Sequence, residues 1–152
     1  MATGTGHRAD DGTRIRARRE AVVREHMAAE NRHDFDATIA TFDRPRYELI
    51  ATGQVYDGED AVRGYFASSR AAFPDQRNEL VSLRHAEDAV VVELDLLGTH
   101  EGTLLGIEGT VRSFRCRMAA LFLFADGGDR ITCERVYFDS GSILAQVGIG
   151  AP

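Results

Sequence analysis

The sequence is short of cysteine. Cys116 and Cys133 are its only two, with no Cys-x-x-Cys pair and no histidine near Cys133 in the chain. That excludes a disulfide framework or a thiolate metal site and leaves both reading as small buried hydrophobes in a reducing compartment. No run of about 20 apolar residues occurs, so no helix is expected to span a membrane. A continuous apolar stretch of the signal-peptide kind is also missing, and the chain is expected in the cytoplasm. Positive charge is scarce: 18 Lys and Arg stand against 24 Asp and Glu, a net charge of -6. Nucleic acid is disfavoured as a partner, because its phosphates need a cationic footprint. The one basic cluster, Arg14, Arg16, Arg18, Arg19 and Arg24, is balanced by Asp10, Asp11, Glu20 and Glu25 and reads as a solvated helix face. His-x-His and His-x-x-x-His pairs are missing, and His26, His33, His85 and His100 are scattered, so no metal site is expected. Gly102-Thr103-Leu104-Leu105-Gly106 lacks the lysine and the following helix of a phosphate loop. No cofactor is expected.

What is present suffices for one domain with a real core: 152 residues, 43% of them apolar. No repeat or linker interrupts it. Residues 1–12 are rich in Gly, Thr and Asp and are expected to be disordered, with 13–152 forming a single domain. The chain is organised around residues 89–139, which predict three long strands over 89–99, 111–124 and 130–139. Val90, Val92, Leu94 and Leu96 alternate with Val91, Glu93, Asp95 and Leu97, the period of a sheet with one buried face. In the second strand the polar residues end at Arg117, and Met118 to Phe124 is apolar. Fourteen residues at about 3.3 Å each make a long strand that must twist or bulge.

Helices are predicted over 13–31, 35–42 and 59–73, with Asp34 capping the second. Ile15, Arg19, Val22, Val23, Met27 and Glu30 lie near one stripe of the first. Shorter strands are predicted at 46–52, with Tyr47, Leu49 and Ala51 on one face, and at 54–56, followed by a strand beginning near Gln76. Helices bunched early and antiparallel strands late read as α+β. The three helices of the N-terminal half are expected on the concave face of a curved antiparallel sheet.

Several stretches carry a family likeness: Asp43-Arg44-Pro45 before Arg46-Tyr47-Glu48, Tyr56-Asp57-Gly58, Ala72-Phe73-Pro74-Asp75, Gly98-Thr99-His100-Glu101-Gly102, Leu105-Gly106-Ile107 with Thr110, and Phe138-Asp139 leading to Gln146-Val147-Gly148. Over about residues 14–148 the chain resembles the SnoaL-like polyketide cyclase group of the NTF2-like superfamily. The resemblance implies a conical α+β fold and a cavity. It also implies an aspartate acting as acid or base on the last long strand, beside a histidine. Val136 stands where that aspartate is expected, and Glu108-Gly109-Thr110-Val111 replaces the usual Pro-Pro-Thr-Gly turn.

Cyclisation or isomerisation through an enolate needs a base beside a C–H acid and a donor for the developing oxyanion. Glu134, two residues before Val136 on the same strand face, is the candidate base, and Val136 and Phe138 would make its pocket apolar. Tyr47 and His100 are the candidate donors, and Arg117 is an alternative ligand anchor. Met118, Tyr56, Tyr65 and Phe66 complete the expected lining of a cavity that opens near the 100–110 loop. A second account of the same residues is open: Glu93, Asp95, Arg115, Arg117 and Glu134 as cross-strand ion pairs on an outer face. The function expected is cofactor-free acid/base catalysis on a small hydrophobic molecule, polycyclic or terpenoid-like. The alternative is a non-catalytic small-molecule or partner-binding domain. A homodimer is expected from the apolar outer residues Leu97, Leu121 and Leu123.

Overall fold

A computed structural model of the chain describes residues 5–150. The first helix, α1, runs Thr5–Asn31. It begins inside the segment expected to be disordered; residues 1–4 of that segment lie outside the described residues. An Asp10–Arg14 pair at 2.8 Å, four residues apart, gives this first part of the helix local support that composition alone does not reveal. The short α2, Phe35–Ala40, starts where Asp34 accepts a hydrogen bond from Ala37 N at 3.1 Å. Strands β1 (Arg46–Leu49) and β2 (Gln54–Asp57) make a hairpin and α3 follows over Glu59–Ala72. The long meander is β3 (Arg77–His85), β4 (Ala89–Thr99), β5 (Ser113–Phe124) and β6 (Ile131–Tyr137). A fourth helix, α4 (Ser140–Gln146), follows, where the sequence pattern predicts none; Asp139 Oδ1 caps it through Ser142 N at 3.0 Å. β5 starts at Ser113 rather than at 111, because Val111 sits at φ 60°, in the left-handed region that no strand residue adopts.

The six strands form one curved, open sheet in the order β2-β1-β6-β5-β4-β3. All pairs are antiparallel except β1·β6, which is parallel. The expectation of a wholly antiparallel sheet is corrected at this one pair. β1 reaches the sheet from α2, and no hairpin ties it to β6 and dictates its direction. Register slips at Leu80/Ser82 and at Leu123/Phe124 help the long strands bend.

The concave face is covered by α1 and α3. Val23, Phe42, Val62, Phe66, Val92 and Phe122 are among the residues that close the main core there. A second cluster, built on Phe73, Phe114, Ile143 and Val147, joins α4 to the other end of β5. Arg19 fastens α1 to two hairpin turns at once: Nε donates to Gly128 O at 2.7 Å, Nη1 to Glu87 O at 3.0 Å and Nη2 to Ala125 O at 3.1 Å. Its guanidinium also lies 4.8 Å over the ring of Phe124. A cation so committed is structural, and the expectation of a solvated helix face is corrected at Arg19, which is buried.

The convex face carries the ion pairs. Arg117 Nε donates to Asp95 Oδ1 at 2.5 Å, Arg115 Nη2 is 3.0 Å from Asp95 Oδ2, and Arg84 Nη1 is 2.7 Å from Glu93 Oε1. The cross-strand account is therefore right for Glu93, Asp95, Arg115 and Arg117. It does not extend to Glu134, which stands on the opposite face beside Tyr47.

Candidate active site

His26 and Glu30 are one turn apart on α1, so both point to the same side. That side lies over the pair formed by β1 and β6, where Tyr47 and Glu134 are direct neighbours in register. Four polar side chains from three elements thus meet beneath the helix. The His26 ring is fully buried and packs edge-on against Phe42 and Phe122, 5.3 and 5.2 Å between centroids.

Hydrogen positions follow from the bond partners. Thr41 Oγ1 donates to Thr38 O at 2.6 Å, so toward His26 Nδ1, at 2.8 Å, it must accept. Nδ1 therefore carries a proton. Nε2 lies 2.9 Å from Glu134 Oε2 and 3.3 Å from Glu30 Oε1. The Tyr47 hydroxyl is 3.0 Å from Nε2 and spends its own proton on Glu30 Oε1 at 2.7 Å. Nε2 thus faces acceptors alone, and the ring is an imidazolium.

Electrostatics agree with this arrangement. Burial works against a charged His26, but the charge of Glu134, and then the hydrogen bonds with both glutamates, raise its pKa to about 10. Burial would raise Glu30, yet the hydrogen bond and charge of His26, followed by Arg70 and Tyr47, hold it down at about 2. Glu134 moves the other way: burial and the neighbouring Glu30 charge raise it, against the pull of His26. Burial, followed by the two carboxylates, pushes the Tyr47 phenol well above its ordinary range. The two glutamates are therefore separated in function, one a permanent anion and the other a carboxylate with raised affinity for a proton.

Both glutamates open on a cavity of about 70 Å³. Leu94, Leu96, Met118, Val136 and Phe138 supply apolar walls; Tyr47, Tyr65, Arg70, Gln76 and Asn78 supply polar ones. That volume has room for roughly half a dozen water-sized groups. It is far below the roughly 300 Å³ at which sites for drug-sized ligands begin, so a polycyclic skeleton does not fit this cavity as it stands.

Of the residues singled out in the sequence, Glu134, Tyr47, Met118, Val136, Phe138 and Tyr65 line this cavity. Four others do not. Arg117 is held by Asp95 on the convex face. Tyr56 is stacked on Tyr65, 4.8 Å between centroids, and Phe66 is buried against Phe35 at 4.4 Å. His100 is fully buried in the second cluster, 5.8 Å from the Phe73 ring, where its Nδ1 accepts from Thr110 N at 3.2 Å. It holds the 100–110 loop rather than facing substrate, and no residue of that loop lines the cavity. The histidine of the site is His26. Its signal in the sequence was Glu30, an acidic residue set on the apolar stripe of α1 one turn after a histidine. Arg70, Gln76 and Asn78 gave no signal. The ligand atoms of His26, Glu30 and Glu134 lie within 4.8 Å of one another, so these are the residues that could hold a cation; in the structure they bond to each other.

A family model described as SnoaL-like polyketide cyclase matches residues 20–147. The chain belongs to this family. No curated protein matches its sequence. Solved structures do resemble this SnoaL-like chain. A phenazine biosynthesis-related protein from Pseudomonas aeruginosa aligns at 19% identity with a TM-score of 0.75, covering 94% of this chain and 93% of that one. IdmH from Streptomyces antibioticus aligns at 22% identity and TM-score 0.72, covering 86% and 99%. A protein with a ketosteroid isomerase-like fold from Catenulispora acidiphila, solved with trimethylamine, aligns at 24% and 0.71, covering 86% and 97%. At these identities the likeness is one of fold.

The buried cluster makes stability depend on pH with a definite sign. His26 holds its proton to about pH 10 when folded and releases it near 6.5 when unfolded. Its contribution is complete below pH 6.5 and is lost as pH rises through 10. The raised pKa of Glu134 works in the same direction from a lower starting pH. Urea denaturation of this SnoaL-like protein at pH 6.5, 8 and 9.5 is expected to give falling free energies. In His26→Gln that decline should be much shallower; an equal slope in the variant would remove His26 as its source.

Proposed function

We propose that the protein is a cofactor-free acid/base enzyme of the cyclase or isomerase type. Its substrate is a small, largely hydrophobic carbonyl compound bound against Leu94, Met118, Val136 and Phe138. The observation that carries this reading is the state of Glu134. It is a buried carboxylate of raised pKa at the wall of a mostly apolar cavity, beside a second glutamate that stays ionised. Family membership supports it as well.

In this reading Glu134 removes a proton from the carbon next to the substrate carbonyl. Oε2 is held by His26 at 2.9 Å, which leaves Oε1 to do this. The C–H pair becomes the enolate, and the Tyr47 hydroxyl turns from Glu30 to donate to the enolate oxygen. The same proton returned to a different carbon completes an isomerisation. Attack of the enolate carbon on a second carbonyl completes an aldol ring closure, with the proton ending on the new alkoxide. His26 does not touch substrate. It positions Glu134, and Thr41 positions His26.

The test is proton exchange in D₂O, followed by NMR, on a panel of small ketones and 1,3-dicarbonyls. The protein is expected to accelerate exchange at the activated carbon of at least one member. The rate should rise with pH through a midpoint above the ordinary glutamate value. Glu134→Gln should lose about 10²–10⁴-fold while keeping ligand binding. An unchanged rate in that variant removes Glu134 from the role, and binding without exchange in the parent protein makes the cavity a carrier site.

We also propose that the convex sheet face pairs with a second copy of the chain. Val91, Leu121 and Leu123 are only half-buried there and Tyr137 is 43% exposed, an apolar strip framed by the ion pairs described above. Sedimentation at tens of micromolar protein is expected to give a dimer, and Leu121→Arg a monomer of unchanged helix content. A monomeric parent protein rejects the pairing.

A further inference from the structure

The cavity contains a buried donor that none of the described residues uses. Arg70 leaves α3 in its last turn, and its guanidinium lies between two rings, 5.2 Å from the centroid of Phe35 and 5.6 Å from that of Phe66. Nη1 donates to Ser69 Oγ at 2.9 Å. Nε is out of solvent with no hydrogen-bond partner, and Nη2 has none either. Among the described residues this arginine forms no ion pair in contact, although its charge reaches Glu30. The Nε–Nη2 edge is the one a carboxylate binds side-on with two parallel hydrogen bonds, and here it is fixed, stacked and empty-handed.

Gln76 lines the same cavity. Its backbone carbonyl accepts from His33 Nε2 at 2.9 Å, and its side-chain amide is bonded to none of the described residues, free to meet a ligand in the cavity. Buried polar groups are seldom left unpaired. The unpaired Nε on the cavity wall describes the missing partner: an acceptor, and beside a guanidinium an anionic one. Charge points the same way. His26 is engaged by Glu30 and Glu134, so Arg70 is the cation of the cavity without a partner in contact.

We infer that the cavity recognises a small carboxylate, gripped by the free edge of Arg70 and the amide of Gln76, so that the substrate is an oxo-acid rather than a neutral ketone. The inference rests on reading this cavity as the substrate site. It adds the polar group that orients the carbon chain toward Glu134. A carboxylate of five or six carbon and oxygen atoms beyond its anchor would exhaust the roughly 70 Å³ available.

Isovalerate and its neutral isostere isovaleramide are the probes, titrated into ¹⁵N-labelled full-length protein with the Arg70 Nε–H resonance as readout. Isovalerate is expected to bind at least tenfold more tightly than the amide and to shift that resonance. In Arg70→Met the preference should fall to within twofold, and Gln76→Leu should lose part of it. Melting curves check that both variants are folded; if Arg70→Met unfolds, the Gln76→Leu ratio and the Nε–H shift in the parent protein decide. Equal binding of acid and amide, no binding of either, or a preference that survives Arg70→Met overturns the proposal. Glu134→Gln should keep the carboxylate preference. Exchange of neutral ketones without any carboxylate preference would therefore sink this inference and leave the base assignment standing. Carboxylate binding without exchange would do the reverse.

Discussion

The structure turns on one proton, that on His26 Nε2. It lies between two carboxylates, 2.9 Å from Glu134 and 3.3 Å from Glu30, on a fully buried ring. Two like charges this close could not both persist in a largely buried site without a cation between them. The imidazolium makes Glu30 a lasting anion and leaves Glu134 as the group whose protonation can change. Remove the cation and two buried carboxylates face each other.

Much of the architecture serves to hold that ring. Thr41, at the end of α2, accepts from Nδ1 because its own proton is engaged by Thr38 O. Phe42 and Phe122 fix the ring plane. The parallel pairing of β1 with β6 brings Tyr47 next to Glu134, and only that register lets α1 cover both. Arg19, through its three carbonyl contacts, keeps α1 in line with the hairpin ends. The fold and the site are one network here, since the same helix closes the core and supplies two of the four polar groups.

How much of this was legible beforehand depends on the range of the signal. Period-2 alternation in β4 and the polar-to-apolar change along β5 declare their faces locally, and the face shared by Glu134, Val136 and Phe138 could be read two residues at a time. Asp34 is a local cap and readable as one, whereas the helix that Asp139 caps is too short to declare a period. His26 was not legible as a site residue. Its partner Glu134 lies 108 positions away, and a lone histidine beside valine and methionine looks like core. His100, flanked by glycines at a strand end, had the more suggestive surroundings but serves to hold a loop. Arg117 and Asp95 illustrate the same limit in reverse: alternation placed them on one face, but only strand pairing shows that they satisfy each other. Arg70 is invisible in sequence because what distinguishes it is a buried Nε with no hydrogen-bond partner among the described residues.

The central claim is that the two glutamates are split by the shared imidazolium, and a ¹³C NMR titration of the side-chain carboxyls tests it directly. Glu134 should titrate above the ordinary value of 4.5 while Glu30 stays ionised down to about pH 2. Both carboxyls titrating together near 4.5, or Glu30 taking up its proton before Glu134 as pH falls, would contradict the account.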